Sequence, residues 1–376
     1  MQNRRKKVGI TGQNGFIGSY LYNTLCLRKD EFELIPFDRS AFAHPGQLAG
    51  WVKQCDAIVH LSALNRHPDP EVIFDTNVDL VKKLISAMEV SNVTPHVIFT
   101  SSTQEEMDNL YGNSKKEGRR LFSDWANKHN AKFSGMVVPN VFGPFGKPFY
   151  NSVVATFCHQ LCHQQEPEIN KDGFLKLIYV DELTKHIVDA IINETHRPEW
   201  DVPHTGEYYV SQILSQLNSF KDLYFDNGII PSLPNQFSVN LFNTFRSFMN
   251  PGEQFPRHLK LNTDDRGTFV ELIKLNAGGQ VSFSTTHPGI TRGNHFHTRK
   301  IERFAVIKGR ARIQLRKFNT AEVFNFDLNG DEASYVDMPV WYTHNITNTG
   351  NEELYTIFWI NEFFDPADSD TFFETV

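Results

Sequence analysis

The sequence predicts two domains of different class, an α/β doubly wound parallel sheet followed by an all-β barrel. Up to about residue 200, short apolar runs alternate with helical patterns, which is typical of βαβ units. After about residue 250, strand-like runs separated by Gly, Asn or Asp turns follow one another with no helical period between them. The segment 237–258 carries Asn-Pro-Gly and a further Pro, which indicates a boundary. The predicted domains are therefore 1–250 and 251–376.

Composition limits the classes of protein to which the chain can belong. Its 376 residues are enough for two hydrophobic cores. The net charge of −7 argues against nucleic acid as a partner, because there is no basic surplus to neutralise phosphates. Four cysteines are too few and too scattered for a disulfide framework. With neither a secretory signal nor an apolar run long enough to span a bilayer, we expect a cytoplasmic protein without membrane insertion.

The first strand and the first helix are joined by a glycine-rich turn in VGITGQNGFIGSYL. Gly12 allows the tight turn, Gly15 lets backbone N–H groups approach a pyrophosphate, and Gly18 lets helix and strand pack closely. At the first strand–helix junction of a βαβ pattern, this spacing predicts a Rossmann-type dinucleotide site. The residues expected to bind the cofactor here are Gly12, Asn14, Gly15, Phe16, Ile17 and Gly18.

The end of the second strand bears on the choice of cofactor. Asp38 lies twenty residues after Gly18, where a carboxylate would hold the ribose hydroxyls of NAD. Arg39 beside it would instead pair with the 2′-phosphate of NADP. The two residues indicate different cofactors, so the pattern alone leaves NADPH and NADH open.

A second constellation, Ser102, Tyr111 and Lys115, lies within SSTQEEMDNLYGNSK. A Tyr and a Lys four residues apart share one face of a helix, and an ammonium near a phenol lowers the pKa of the phenol. Tyr111 would then exchange a proton with a carbonyl or an alcohol near neutrality, with Ser102 hydrogen-bonded to the same oxygen. A surface Tyr and Lys on an amphipathic helix is the alternative, and the upstream glycine turn favours the catalytic interpretation.

Two other groups of candidate residues are interpreted as packing. The stretch from Cys158 to His163 places Cys and His at i,i+4 spacing, which would suit zinc. The stretch also continues an apolar helical pattern, and a free Cys is commonly a small core residue. We therefore predict a packed helix there, and we interpret His60 beside the sheet in the same way.

In the second domain, three histidines and a glutamate have the spacing of a metal site. The pattern is Gly289-x5-His295-x-His297-x4-Glu302-x6-Gly309, with His344 further along. On a strand, His295 and His297 project to one face. Three imidazoles and a carboxylate suit Zn²⁺, Mn²⁺, Fe²⁺ or Ni²⁺. An edge strand with incidental histidines is the alternative that the full spacing argues against.

The motifs of the first domain resemble the extended short-chain dehydrogenase/reductase family. The similar stretches are TGxxGFIG, HLSA, YGNSK and PNVFGP, together with the strand-ending serine. This resemblance implies that Tyr111 is the acid/base, that Lys115 holds the nicotinamide ribose, and that Ser102 polarises the substrate oxygen. It also implies that Asn140 contacts a nucleotide-sugar. One departure is that the short interval between Arg39 and Asp56 leaves no room for the usual third strand.

The second domain resembles the cupin superfamily, and therefore an all-β cupin barrel is expected. The resemblance implies that His295, His297, Glu302 and His344 are the metal ligands. Trp341 departs from the second cupin motif, because glycine is usual at that position.

The whole chain resembles the CapF-type bifunctional enzymes of capsular polysaccharide synthesis, through KPFYNSVVATFC, PGITRGNHFHTRK and WINEFFDPADSDTFFETV. This resemblance implies a UDP-linked 2-acetamido-2,6-dideoxy-4-hexulose substrate, a 4-keto-6-deoxy-N-acetylhexosamine. The cupin domain would epimerise C-3 and the reductase domain would reduce the C-4 ketone with NADPH, toward UDP-N-acetyl-L-fucosamine. A divalent metal, with Zn²⁺ the first choice, and a homodimer are also implied. Thr298 departs from the family, whose members have histidine there.

Three questions stay open at this stage. The candidates for the epimerisation base are Glu271, Lys274, His287 and Tyr342. A reductase with a non-catalytic cupin, used for dimerisation or ligand sensing, is an alternative function. A metal-dependent oxygenase fused to a dehydrogenase is another, because the same ligand set serves iron enzymes.

Overall fold

The structure, a computed structural model, describes residues 4–265 and 267–376. The chain forms two compact units. The first extends to Thr156 and also includes Asn170–Val210; the second consists of Phe157–Ile169 and Ser211–Val376. The division at residue 250 is kept as a proposal for the limits of the two functional domains.

A parallel sheet forms the centre of the first unit. The described strands of this unit are β1 (Lys6–Thr11), β2 (Phe32–Ile35), β3 (Ala57–His60), β4 (His96–Ser102), β5 (Phe133–Val138), β6 (Asn140–Phe142), β7 (Phe174–Tyr179), β8 (Arg197–Asp201) and β9 (Gly206–Tyr209). Six of them pair in parallel in the order β2-β1-β3-β4-β5-β8, and β6, β7 and β9 form a small separate sheet. Among the strands that the structure describes, β2 alone lies beyond β1, in agreement with the missing third strand.

Helices cover the sheet, and α5 and α7 each contribute residues to both units. The described helices are α1 (Phe16–Cys26), α2 (Pro45–Val52), α3 (Pro70–Ser91), α4 (Leu110–His129), α5 (Val153–Cys162), α6 (Val180–Asn193), α7 (Val210–Phe220), α8 (Gln236–Arg246) and α9 (Pro251–Gln254). Among the described helices, none is both long enough and apolar enough to cross a bilayer.

Apolar burial explains why the central strands are nearly continuous hydrophobic runs. Every residue of β5 (FSGMVV) is buried, as expected for a strand covered on both faces. Phe122 of α4 is fully buried and its ring packs against Phe99 of β4 and Phe133 of β5. Burial of each such ring contributes about 2–3 kcal/mol. This packing places α4 firmly against the sheet.

The second unit contains an antiparallel barrel of two five-stranded sheets. Its described strands are β10 (Arg257–His258), β11 (Asn262–Asp264), β12 (Gly267–Phe269), β13 (Gln280–Thr286), β14 (Thr291–Phe296), β15 (Glu302–Lys308), β16 (Arg310–Lys317), β17 (Val323–Asn329), β18 (Ser334–Met338), β19 (Tyr342–Asn348), β20 (Leu354–Ile360) and β21 (Phe372–Phe373). One sheet has the order β10-β18-β15-β20-β13 and the other β17-β16-β19-β14-β21, while β11 and β12 pair in antiparallel. The predicted fold class, a Rossmann-type parallel sheet followed by an all-β barrel, is confirmed.

Candidate functional site

Backbone crowding at the β1–α1 turn explains its glycines. Gly12 has a φ of +77°, and a Cβ placed on it would lie 2.8 Å from the Ser62 backbone nitrogen. A Cβ on Gly18 would lie 2.1 Å from the Gly12 carbonyl oxygen, so no larger residue fits there. Gly15 is the N-cap of α1 and is exposed, as is Asn14, while Phe16 and Ile17 begin the helix. The first-turn N–H groups at such a helix start suit a pyrophosphate.

Asp38 and Arg39 lie side by side but are used differently. The Asp38 carboxylate accepts a hydrogen bond of 2.8 Å from the Ser40 backbone N–H and caps the 3₁₀ turn Arg39–Ala43. This hydrogen bond lowers the pKa of Asp38. Arg39 is exposed, and no carboxylate of the described residues pairs with it. The local cap therefore occupies one oxygen of Asp38 and leaves the Arg39 guanidinium available.

The predicted Ser102, Tyr111 and Lys115 lie at the carboxyl end of β4 and the start of α4. Ser102 ends β4, and its Oγ accepts from the Gln104 N–H at 3.2 Å. Tyr111 follows Leu110 in the first turn of α4, whose N-cap is Asn109. A Cβ on Gly112 would lie 1.9 Å from the Gln104 carbonyl oxygen, so glycine allows α4 to approach the segment after Ser102. The three residues thus come from adjoining segments.

Burial dominates the acid–base properties of this group. Burial, and then Tyr150, raises the pKa of Tyr111 to about 12. Burial lowers the pKa of Lys115 to about 8, and its Nζ donates to the Thr100 carbonyl at 2.8 Å while lying 6.0 Å from the Tyr111 ring centroid. The net pKa of Tyr111 is thus raised, where the sequence predicted that Lys115 would lower it, because burial of the phenol outweighs the ammonium.

Asn140 belongs to a different strand from Ser102 and to a different element from Tyr111 and Lys115. It is exposed at the first position of β6, and its Nδ2 donates to the Lys176 carbonyl at 3.4 Å. No described hydrogen bond joins it to Tyr111.

Two cationic side chains lie around Tyr150, and the sequence analysis did not identify this cluster. Lys147 Nζ lies 5.0 Å and the Arg66 guanidinium carbon 5.8 Å from the Tyr150 ring centroid. Arg66 donates to the Asn151 side-chain oxygen (3.0 Å) and the Phe149 carbonyl (2.9 Å), both of which are neutral. Among the described residues, no carboxylate pairs with either cation. Because Tyr150 also raises the pKa of Tyr111, two uncompensated positive charges lie in the neighbourhood of the predicted acid/base.

In the second unit, the four predicted metal ligands converge. His295 of β14 pairs with His344 of β19, His297 follows β14 directly, and Glu302 begins β15. One ligand atom from each lies within 4.8 Å of all the others. Glu302 Oε2 lies 3.2 Å from the Nε2 atoms of both His297 and His344. His295 is half-buried and the other three are buried.

The side-chain atoms that face the centre of this cluster are arranged to bind a metal and not to hydrogen-bond with one another. His297 Nε2, His344 Nε2 and Glu302 Oε2 are buried and have no partner with hydrogen-bond geometry. His297 Nδ1 lies 2.6 Å from the Asp370 carbonyl oxygen and His344 Nδ1 lies 3.1 Å from that of Tyr342. A carbonyl accepts only from N–H, so both rings carry the proton on Nδ1 and turn the Nε2 lone pair inward. Such a donor set suits a divalent transition metal.

Burial and charge favour the protonation states of metal ligands at His295 and Glu302. At His297 burial would lower the pKa, but Glu302 outweighs this and raises it. Burial lowers the pKa of His295 to about 4, so its imidazole is neutral. Burial would raise the pKa of Glu302, but His297 and His344 outweigh this and hold that pKa well below its usual range. A neutral imidazole and an ionised carboxylate are the forms that bind metals.

The backbone at Trp341 keeps a conformation typical of glycine, the residue that the sequence comparison led us to expect at this position. Its φ is +62°, a left-handed conformation in which glycine is usual. The ring is buried beside Phe296 and Phe318, and the backbone N–H donates to the His297 carbonyl at 2.7 Å. Packing and this hydrogen bond offset a conformational cost of about 1–2 kcal/mol.

The residues interpreted as packing have ordinary core surroundings. Cys158 is fully buried, and burial raises the pKa values of Cys158 and Cys162, which keeps both as thiols. The His295 cluster is the only group of His, Cys, Asp and Glu within residues 4–265 and 267–376 whose atoms could hold a metal. His60 is buried, its Nδ1 lies 2.8 Å from Thr11 Oγ1, and its ring stacks on Phe99.

The four candidate bases for epimerisation differ in position. The His287 side chain is 83% exposed, and Glu271 and Lys274 form an exposed ion pair of 2.7 Å. Tyr342 lies two residues before His344 on β19, so strand alternation places both on the same face. Burial raises the pKa of Tyr342 to about 12. Of the four, Tyr342 alone is on a strand position that shares the metal-ligand face.

Comparisons with known proteins cover both units. Residues 8–199 match the profile of the NAD dependent epimerase/dehydratase family, and residues 262–372 match that of the polysaccharide biosynthesis C-terminal domain. A Pseudomonas aeruginosa protein described as UDP-2-acetamido-2,6-beta-L-arabino-hexul-4-ose reductase is 33% identical over 97% of this chain and 98% of its own length.

Solved structures with a similar fold include one that covers almost the whole chain and one that covers part of it. The capsular polysaccharide assembling protein CapF from Staphylococcus aureus is 33% identical, covers 98% of this chain and 100% of its own, and superposes with a TM-score of 0.61. RMD from P. aeruginosa, solved with NADPH, is 18% identical, covers 58% of this chain and 82% of its own, and has a TM-score of 0.51. At that identity the second likeness shows the fold alone.

Proposed function

The chain belongs to the NAD-dependent epimerase/dehydratase family and, over its whole length, to the CapF-type proteins, and on this premise we propose a bifunctional nucleotide-sugar enzyme. The second unit epimerises C-3 of a UDP-2-acetamido-2,6-dideoxy-4-hexulose, and the first unit reduces the C-4 ketone, toward UDP-N-acetyl-L-fucosamine. One observation carries this proposal. The whole chain aligns with a hexul-4-ose reductase, and its second unit also contains the cluster of His295, His297, Glu302 and His344.

In the reduction, the residues of the first unit manage the proton at the C-4 oxygen. Bound NADPH supplies the hydride. Tyr111 donates a proton to the oxygen as it gains negative charge, and Ser102 hydrogen-bonds that oxygen. Lys115 is close enough to the Tyr111 ring to stabilise the phenolate that is left. The expected cofactor site is the β1–α1 turn with Asp38, Arg39 and Lys115.

The epimerisation depends on the acidity of the C-3 proton. A ketone at C-4 acidifies this proton, so a base can remove it and return it to the other face. His295, His297, Glu302 and His344 would hold a divalent metal, with Zn²⁺ the first choice, which supplies positive charge for an enolate oxygen. Reduction of the ketone then removes the acidity and retains the new configuration. This order of reactions accounts for the presence of both sites in one chain.

NADPH is the proposed cofactor because Arg39 has no carboxylate partner among the described residues, whereas Asp38 caps a turn. Arg39→Ala should lower kcat/KM for NADPH about 10-fold or more, since a charged contact to phosphate contributes at least 1.4 kcal/mol. The value for NADH should hardly change. Equal losses with both cofactors would instead indicate a general structural role for Arg39.

The cationic cluster of Arg66, Lys147 and Tyr150 suggests where the substrate's diphosphate binds. The substrate carries two phosphate charges, and these two cations are not neutralised by any described carboxylate. Because the cluster lies near Tyr111, a diphosphate bound to it would hold the sugar ring next to the acid/base. Asn140 is kept as a proposed contact on the nucleotide-sugar side.

A homodimer is proposed for the assembly. Strand β13 is the outermost strand of its sheet in the described part of the chain, and it exposes Val281 (58%) and Phe283 (72%). An exposed apolar edge strand is suited to pairing with a second copy. Light scattering on the wild type and on Phe283→Lys should give dimer and monomer masses respectively; a monomeric wild type would refute the proposal.

The test of the bifunctional proposal is proton NMR in D₂O. A UDP-4-keto-6-deoxy-N-acetylhexosamine is incubated with the protein without nicotinamide, and deuterium should appear at C-3. A second candidate, a reductase whose barrel is not catalytic, is favoured by the name of the Pseudomonas relative, which mentions reduction only. No exchange, followed by consumption of NADPH, would establish that candidate. Tyr111→Phe is the control, because it should abolish reduction and keep the exchange.

A further inference from the structure

Asp370 is a buried carboxylate with an unusual number of partners around one metal ligand. It is 6% exposed and has a φ of +43°. Its Oδ1 accepts from the Thr298 N–H (3.1 Å) and the Thr298 hydroxyl (2.6 Å), and its Oδ2 accepts from the N–H groups of Arg299 and Lys300 (both 3.0 Å). These donors belong to the turn that follows His297.

The backbone of the same residue contacts His297 itself. The Asp370 carbonyl oxygen lies 2.6 Å from His297 Nδ1. The carbonyl therefore determines which ring nitrogen carries the proton, and the carboxylate determines where the turn from Thr298 to Lys300 lies. Glu302 begins β15 just after this turn, so one residue controls the spacing between two of the four ligands.

The segment 365–376, here named the strap, is held to the ligand-bearing strands at further points. Within it, β21 pairs with β14, with Phe373 opposite His295 and Phe372 opposite Phe296. The Glu374 N–H donates to the Asn294 carbonyl at 2.9 Å, and Thr343 Oγ1 donates to the Glu374 carbonyl at 2.7 Å. The strap is thus hydrogen-bonded next to His295 on β14 and next to His344 on β19.

From these contacts we infer that Asp370 is the positioning residue of the metal centre and that the strap assembles the centre by aligning His297 with the other ligands. This inference rests on the metal site of the proposed function. Thr298 takes part in this positioning, because the described partner of its hydroxyl is the Asp370 carboxylate.

The experiment measures Zn²⁺ affinity of the purified full chain by competition with a chromophoric chelator. Asp370→Ala should bind Zn²⁺ about 10–100-fold more weakly, the usual effect of removing an outer-shell partner. Asp370→Asn, which keeps one acceptor oxygen, should lose less. Asp365→Ala is the matched control, since the exposed Asp365 carboxylate lies on the strap and accepts from the Ala367 N–H, away from the turn and the ligands; its affinity should equal that of the wild type.

A second readout separates positioning from general stability. The visible spectrum of the Co²⁺-loaded chain reports ligand geometry, and it should change in Asp370→Asn and not in Asp365→Ala. Wild-type affinity and spectrum in both Asp370 variants would overturn the inference. If the wild type and His297→Ala both fail to bind Zn²⁺, the metal site of the proposed function fails instead, which is a distinguishable outcome.

Discussion

Lys115 shows at the scale of one residue how a catalytic role conflicts with stability. Its ammonium is buried, and its one described hydrogen bond goes to the neutral Thr100 carbonyl. Burial lowers its pKa from 10.5 to about 8, which means that the folded chain disfavours the charged form. Glu105 raises this pKa in part, and Nζ lies 4.8 Å from the Phe99 ring centroid, but these interactions do not offset the effect of burial. We therefore expect function and stability to respond oppositely when the charge is removed.

Lys115→Met should lower kcat of reduction about 100-fold or more and should raise the free energy of unfolding at pH 7. The expected gain is about 2 kcal/mol, since each unit of pKa shift corresponds to about 1.4 kcal/mol and the lost hydrogen bond to Thr100 offsets part of it. Urea unfolding and steady-state reduction of the ketosugar measure the two effects.

The pH dependence of this gain has a defined sign. Between pH 8 and 10.5 the folded chain holds fewer protons on Lys115 than the unfolded chain does. The destabilisation of the wild type is therefore complete below pH 8 and disappears as the pH rises to 10.5. The stability difference between variant and wild type should shrink over that range. A difference that is negative at pH 7 would show that Lys115 stabilises the fold.

Lys147 provides a second test at this scale. Lys147→Gln should raise KM for the nucleotide sugar about 10-fold, the equivalent of about 1.4 kcal/mol, because its ammonium would lose an interaction with the diphosphate. KM for NADPH should not change. Lys116→Gln, at an exposed position of α4, is the control. If KM for NADPH rises instead, the cluster binds the cofactor's phosphates and not those of the sugar nucleotide.

Two Arg–Asp pairs between neighbouring strands show how burial decides the value of an interaction at the scale of elements. Arg303 of β15 and Asp337 of β18 form bonds of 2.7 and 2.9 Å with both side chains 1% exposed. Arg312 of β16 and Asp327 of β17 form bonds of 2.8 and 3.1 Å with side chains 48% and 67% exposed. The geometry is nearly the same, so the surroundings account for any difference in stability.

Asp337→Asn should cost about 3–5 kcal/mol, because it leaves the Arg303 guanidinium buried without a counter-charge. Asp327→Asn should cost less than about 1 kcal/mol, since water and salt screen the exposed pair. The Tyr224 hydroxyl, which donates to Asp337 at 2.7 Å, adds to the first cost. Urea unfolding followed by tryptophan fluorescence compares the two; equal costs would mean that burial does not govern these pairs.

At the scale of the whole molecule, the two units should respond differently to metal removal. A metal that binds only the folded second unit stabilises it by mass action, by about 4 kcal/mol at a free concentration 1,000 times Kd. The first unit has no such ligand set in its described residues. The two activities should therefore be separable by a chelator.

Treatment with EDTA should lower the melting temperature of one calorimetric transition and abolish C-3 exchange, and it should leave NADPH-dependent reduction of an already epimerised substrate unchanged. His344→Ala should melt at the lower temperature with or without EDTA. Unchanged melting of the wild type in EDTA would contradict a bound structural metal, and loss of reduction as well would contradict the separation of the two sites.

Much of this protein could be predicted from local sequence. The glycine turn, the alternating strand and helix patterns and the HxH spacing each depend on residues close in the chain, where period and backbone conformation determine what forms. The parallel sheet, the barrel and the absent third strand follow from such patterns. The convergence of His344 with the other three ligands does not, because His344 lies on a later strand of the barrel. Sequence reasoning did not reach Asp370, because it contacts His297 from more than seventy residues away.

The sequence by itself determined the fold class and the kinds of residue at each site, because these are properties of local pattern and residue chemistry. Only the tertiary structure decided the electrostatics and the supporting contacts: that burial raises the pKa of Tyr111, that Asp38 caps a turn beside Arg39, and that the Asp370 carbonyl oxygen contacts His297 Nδ1. The physical reason is that desolvation and hydrogen-bond geometry depend on everything that surrounds a group, and most of those neighbours are distant in the chain.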